Sequence, residues 1–483
     1  MTVAHWASLR FRFHFSAMSV EEARETQPLV GSGLRPFFLP RAALPSVFVN
    51  AATVITEGYD LAVIGGVLIL IRQDFQLTGF EESLLLGVQF FTMALGSPMS
   101  GYIADALGRK NALAIVFVFL TLGPLTMALA AGFKALFLGR ILLGIGIGGG
   151  VDTVSTYLAE ISPADVRGRL VGLEELFLVL GAFLGTLSNY FLVDVRSGWR
   201  IMLGLGALSP MILLGILASP AVLESPRWLL LQGRMEEAQD ILQKLLRPAE
   251  ARQALDEWTQ QASQRAEPWM NVLRPADPRK RNALLSGIIV ALLNAGSGGT
   301  IITTYLATFL DKEYGEGDHG LGIVVIFGII RAVTVLFCLA FISDRWGRRE
   351  MLLMSSIGTT IASAILMWAY STGAAFVPYK FIGVCAIGVS HSMGLGPAAW
   401  PYMSEVCSTD VRSKSVSVMI LLARMWAGLS IMSVPAILHS FDISGLFAYL
   451  LAFNFLGFLG MYLYVQETRG RSLESMGILV DKA

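Results

Sequence analysis

The chain has 483 residues, of which 54% are hydrophobic and 15% charged, against about 25% charged in ordinary soluble domains. A mean hydropathy of +0.62 excludes an ordinary soluble enzyme and a disordered chain. The 36 Lys+Arg balance 36 Asp+Glu, so no basic surplus exists to attract nucleic acid. Three cysteines, Cys338, Cys385 and Cys407, are too few for a disulfide framework.

In chain order, residues 1–45 form an N-terminal tail with no apolar run long enough for a secretory signal. Its first twenty residues hold Arg10 and Arg12 and no acid, which leaves a transit peptide or an upstream extension before Met18 open. Apolar runs of membrane-spanning length follow at 46–70, 83–104, 111–131, 135–158, 170–193 and 199–220. Residues 221–281 are polar and helical in period: Met235, Ala238, Ile241, Leu242 and Leu245 share one face of a short amphipathic helix, and a second helical stretch covers 249–266. A second set of apolar runs lies at 282–310, 321–343, 351–370, 376–403, 414–437 and 444–465, and a tail covers 466–483. The expected fold is an all-α membrane protein of twelve transmembrane helices in two six-helix bundles, 46–220 and 282–465, joined by a helical linker.

Charge sets the orientation. Lys and Arg crowd the tails, the linker and the loops on its side, while Arg72, Lys134, Arg196, Arg200, Lys312 and Lys380 stand on the other. Positively charged loops stay in the cytoplasm, so both termini and the linker are expected there, with the plasma membrane as the host. A monomer is the default.

The halves echo each other. Asp105-Ala-Leu-Gly108-Arg109-Lys110 follows the second run and Asp344-Arg-Trp-Gly347-Arg348-Arg349 the eighth. Glu160 precedes Arg167 after the fourth run as Glu405 precedes Arg412 after the tenth, each by seven residues. Such recurrence predicts a duplicated unit whose halves rock about a site at the bilayer midplane. Asp105, Arg109, Glu160 and Arg167, with Asp344, Arg348, Glu405 and Arg412, are expected to form ion-pair clusters that are made when the inner side closes and broken when it opens. Exposed pairs contribute only about 0–1 kcal/mol each, and networks contribute more.

These motifs, together with Gly58-Tyr59-Asp60, Arg140-x-x-x-Gly144-x-Gly146-x-Gly148, Glu224-Ser225-Pro226-Arg227-Trp228 and Glu467-Thr468-Arg469-Gly470-Arg471, resemble the major facilitator superfamily and, within it, the sugar porter family. The resemblance runs from about 50 to 475. It implies a major facilitator fold and secondary transport of a sugar, polyol or related small polar solute, with no enzymatic activity, metal or cofactor. An organic ion, facilitated diffusion or a non-transporting sensor are the alternatives.

A charge at the bilayer centre costs about 2.5–3.5 kcal/mol, so intramembrane charges need partners. Asp60 and Arg140 are the leading pair. In proton-driven members of the family an Asp and an Arg at these positions couple transport, and a rocking motion that separates them would let Asp60 take up H+. One proton crossing 100 mV supplies about 2.3 kcal/mol. Glu57, Asp152, Glu174, Glu175, Arg331 and Arg424 also fall inside spans, where the family usually has neutral residues; they are read as helix-to-helix glue or as the lining of a more charged cavity.

The expected solute contacts depart from the hexose set. Glu175 stands where the family has Gln in the fifth span. Asn294-Ala295 replaces a Gln pair in the seventh, Thr300 replaces Asn, and Thr304-Tyr305 replaces a Tyr pair. Gly396-Pro397 and Trp400 keep the break and one aromatic of the tenth span, with Leu395 in place of a frequent Trp. His391 is read as a helix-end histidine, solvated or hydrogen-bonded. The glycine runs Gly144–Gly150 and Gly296–Gly299 are read as helix contacts rather than phosphate loops, because no Gly-Lys-Ser/Thr follows.

Overall fold

A computed structural model describes residues 44–469 apart from 162–163, 221, 247–250, 253–254, 256–257, 259–267, 315–317, 343–344, 373–378 and 409–410; side chains at 159, 164–172 and 311–319 also lie outside the description. Among the described residues every regular element is a helix. With no water in the bilayer core, a helix satisfies its backbone polar groups internally.

Spans 1 to 5 are Leu44–Phe75, Gly79–Leu107, Arg109–Ala128, Phe133–Ile161 and Ala164–Leu192. Span 6 is bent, running Gly198–Leu205 and then Leu208–Ala218. Span 7 is broken into Pro278–Gly296 and Gly299–Tyr314. Span 8, Asp318–Phe337, ends in a π turn over Cys338–Ile342, and span 9 is Arg348–Ser371. Span 10 is broken into Tyr379–Met393 and Leu395–Glu405. Residues Arg412–Tyr464 read as one helix, interrupted at Asp442, whose φ is 58° and ψ −171°. The chain folds back there: Ser430 Oγ meets Tyr449 Oη at 3.3 Å and Trp426 stacks on Phe453. Among the described residues, eleven helices are long and apolar enough to cross a membrane, and with this fold they supply the twelve expected spans.

Helices overrun the apolar windows because caps, not hydropathy, end them. Thr78 and Glu81 form a capping box before span 2, Asp277 caps span 7 ahead of Pro278, and Ser225 caps the short helix Pro226–Leu231. The break in span 10 falls at Gly394, two residues before the expected Gly396-Pro397. A Cβ at Gly394 would stand 2.1 Å from the Met351 carbonyl oxygen, so the close approach of span 9 sets the position. The predicted linker helix is Met235–Leu245, with Ala238, Leu242 and Leu245 buried and Met235 exposed. Most of the expected stretch 249–266 lies outside the described residues.

Within the first half, span 4 packs on spans 2 and 3, and span 1 on span 5. The span 4 glycines make this close: Cβ atoms at Gly144 and Gly148 would strike the backbone of Gln89 and Met93, the small-residue contact that membrane helices use. Across the halves, span 1 meets the second part of span 7, span 2 meets span 11, and span 5 meets span 8.

Among the described residues the buried apolar side chains form two main clusters, one large and one smaller, and two minor ones. The large cluster joins the first half to residues such as Ile301, Leu306, Phe327, Ile431 and Phe447, all in the parts of the second half farthest from the linker. The smaller one, with Val290, Leu352, Leu395, Tyr402 and Met419, occupies the linker side of the second half. The two halves thus share an apolar core on the distal side and keep separate cores on the linker side.

Candidate functional site

The linker-side ion pairs form within each half. Arg109 grips Glu160 with two hydrogen bonds of 2.9 and 3.0 Å and reaches Asp105 at 3.1 Å. Arg348 meets Glu405 at 3.7 Å. Arg412, expected in the same cluster as Glu405, donates to the Cys407 carbonyl oxygen at 3.2–3.3 Å, while the Glu405 carboxylate is engaged by Arg348 and by Thr468 Oγ1 at 2.6 Å. The Arg167 side chain and Asp344 lie outside the described residues. The described pairs are intact in this conformation.

Two acids missed as a set complete these clusters. Glu224, just after span 6, accepts from the backbone N–H groups of Arg109 at 3.0 Å, Lys110 at 3.2 Å and Ser225 at 2.8 Å. Glu467, just after span 12, accepts from those of Arg348 at 2.8 Å and Arg349 at 3.0 Å. Each carboxylate sits on the unsatisfied donors and positive dipole end of a helix. Gly108 and Gly347 make room: a Cβ there would lie 2.6 Å from Glu224 Oε2 and 2.0 Å from Glu467 Oε2. Both acids stand in motifs the sequence displays, but only the folded chain shows their common target.

Asp60 and Arg140 meet as expected. Arg140 Nη1 donates to both Asp60 oxygens at 2.9 and 3.1 Å, Arg140 Nε donates to the Leu85 carbonyl at 3.0 Å, and Gln89 Nε2 donates to Asp60. Both charged groups are buried, on spans 1 and 4, with Gln89 on span 2. All three belong to the first half. Rigid rocking of one half against the other therefore leaves the pair together, which corrects the expected separation; parting it takes a shift inside the first half.

The remaining intramembrane charges gather where the halves face each other. Glu57 of span 1 meets Arg424 of span 11 at 3.0 Å, and that guanidinium lies 5.9 Å from the Trp400 ring. Glu175 of span 5 faces Arg331 of span 8 at 3.7 Å and packs against Gly396, whose Cβ would stand 2.6 Å from Glu175 Oε1. Arg331 also donates to Thr303 Oγ1 at 2.9 Å and Ser392 Oγ at 3.4 Å. Glu174 accepts from Ser155 Oγ at 3.1 Å and Asn50 at 3.5 Å, and Asp152 accepts from Ser97.

Of the expected solute contacts, Asn294, Thr300 and Trp400 are half-buried beside the helix breaks. Thr304 and Tyr305 are buried in the distal seam: a Cβ on Gly65 of span 1 would lie 2.4 Å from the Thr304 carbonyl oxygen, and Tyr305 donates to the Ile431 carbonyl at 3.2 Å. His391 is buried at the end of the first part of span 10, with Nδ1 3.1 Å from Ser297 Oγ, so it supports the break in span 7 from within the membrane. Glu175 Oε1, Thr304 Oγ1 and the indole nitrogen of Trp426 are buried without a hydrogen-bond partner among the described residues, and such atoms gain most from a ligand that supplies one. Trp426 escaped the sequence reading because nothing but its span 11 position marked it.

Residues 46–479 match the family model "Sugar (and other) transporter". Probable polyol transporter 4 of Arabidopsis thaliana is 32% identical over 435 residues, covering 87% of this chain and 82% of that one. Polyol transporter 5 of the same plant is 28% identical over 470 residues, covering 90% and 85%. In fold, the chain is similar to the proton:xylose symporter XylE of E. coli, with a TM-score of 0.76 at 22% identity over 91% of this chain and 99% of that one. With its broken helices, duplicated halves and matched motifs, this multi-pass membrane protein belongs to the sugar transporter family of the major facilitator superfamily.

Proposed function

We propose that the protein carries a polyol or sugar across its membrane by alternating access, coupled to a proton through Asp60. The carrying observation is two buried polar atoms without a hydrogen-bond partner among the described residues, Glu175 Oε1 beside Gly396 of span 10 and Trp426 Nε1 beside Gly296 of span 7, near the aromatic face of Trp400. Hydroxyls donate and accept in turn and suit such a mixed set. The plant relatives named for polyols support the same class. Proton coupling draws on the buried carboxylate of Asp60 beside Arg140, with Gln89 as a third partner that can follow it when the pair loosens. The crowding of Lys and Arg on the linker side supports cytoplasmic termini, and the plasma membrane is the proposed host.

The test is uptake of labelled sorbitol, xylose and glucose by vesicles holding the purified protein, with and without an imposed pH gradient. The native chain concentrates at least one of them when the gradient is present. Asp60→Asn is expected to equilibrate it without concentrating it; gradient-driven accumulation by that variant removes Asp60 as the coupling group. An organic ion is the second reading, favoured by the four charges of the Glu57–Arg424 and Glu175–Arg331 pairs, and uptake of an organic cation without competition by any polyol would select it.

A further inference from the structure

Among the described residues, two ion pairs are seen to cross from one half to the other. In both, the acid belongs to the first half and the base to the second: Glu57 with Arg424 at 3.0 Å and Glu175 with Arg331 at 3.7 Å. None of the four side chains is more than 15% exposed. Immediately distal to them the halves press together through apolar contacts. A Cβ on Gly428, one turn beyond Arg424, would lie 3.0 Å from Phe91, and one on Gly328, one turn from Arg331, would lie 3.2 Å from Phe183. On the linker side of the pairs the second half keeps its own core. The pairs thus lie at the linker-side edge of this apolar contact.

We propose that Glu57–Arg424 and Glu175–Arg331 are positioning residues of the transport cycle, holding the distal face shut while no solute is bound. This rests on the alternating-access reading above. A buried charge deprived of its partner is strongly disfavoured, so any motion that draws the halves apart at this layer must find new partners for all four groups. The pairs Asp60–Arg140, Arg109–Glu160 and Arg348–Glu405 each lie within one half and cannot sense that motion. A solute settling between Glu175 and the Trp400 ring beside Arg424 touches both cross-half pairs at once. Its hydroxyls donate to Glu175 and accept from Arg424, and so replace what opening removes. The polarity, acid on one half and base on the other, makes the two pairs act in the same direction.

The test reads the distal seam directly. In a chain with Cys338, Cys385 and Cys407 replaced by alanine, Ala307→Cys places a thiol on span 7, buried against Gly65. A membrane-impermeant maleimide is added to the distal side of vesicles without solute. The double variants Glu57→Gln/Arg424→Gln and Glu175→Gln/Arg331→Gln remove both members of each pair, and each is expected to label about fivefold faster than the parent. The exchanged pair Glu57→Arg/Arg424→Glu restores the charges and should label within about twofold of the parent. Unchanged labelling in both neutral variants, or an exchanged pair as fast as the neutral one, overturns the proposal. Should a neutral variant fail to fold, Glu57→Asp, which keeps the charge and lengthens the gap, takes its place: an intermediate rate supports the latch and the parental rate overturns it. The labelling needs no solute. A protein that moves no polyol can still show the latch, and a working polyol transporter whose labelling ignores the pairs loses the latch alone.

Discussion

Asp442 holds a backbone conformation, φ 58° and ψ −171°, that is nearly reserved for glycine and costs about 1–3 kcal/mol in other residues. It reverses the chain between spans 11 and 12. Asp442→Gly is expected to stabilise the purified protein by about 1 kcal/mol, seen as a higher midpoint of thermal unfolding, and Asp442→Val to lower it. The acids Glu224 and Glu467 are the counterpart at the linker side. Glu224→Ala and Glu467→Ala should each cost about 1–2 kcal/mol, the upper range for a lost helix cap. The two share no partner, so the double variant should show the sum within about 0.5 kcal/mol. A much smaller combined loss would mean that the caps are not independent.

At the scale of the helices, close seams decide what can move. Gly65 of span 1 lies under the Thr304 carbonyl of span 7, and both helices belong to the layer that closes the distal face. Gly65→Val adds a branched side chain there, and overpacking of this kind costs about 1–3 kcal/mol. The expected result is a roughly tenfold fall in solute uptake with faster distal labelling at Ala307→Cys. The twelve spans and the amphipathic linker helix were legible in the sequence because hydropathy and a 3.6-residue period record burial directly. The Asp60–Arg140, Arg109–Glu160 and Arg348–Glu405 groups could be located because a charge in or beside a membrane has few explanations. Their partners were harder. The cost of burying Glu57 or Arg424 states that each needs an opposite charge, but only tertiary distance says which. The same blindness hid the partner of Arg412, which is the Cys407 carbonyl. It also misplaced the break in span 10, which follows from the approach of Met351 rather than from the local Gly-Pro pair.

For the whole molecule, the division of the apolar core makes a directional prediction. The halves are joined on the distal side and separate on the linker side, so solvent should enter from the linker side. With the native cysteines replaced, Asn294→Cys is expected to react with an impermeant maleimide about tenfold faster from the linker face than from the distal face. Equal rates from both faces would contradict the division. A saturating solute that draws the halves together should slow the reaction, which can be measured on the same vesicles.

The carboxylates of Glu224 and Glu467 carry a consequence for biogenesis. Each one seals the second helical hairpin of its own half from a point just past the sixth helix of that half. A nascent first half can therefore finish itself as soon as residue 224 has left the ribosome, before any of the second half exists. The second half must wait for residue 467. Assembly then becomes the meeting of one mature body with one newly completed partner, and the polypeptide itself prescribes that schedule.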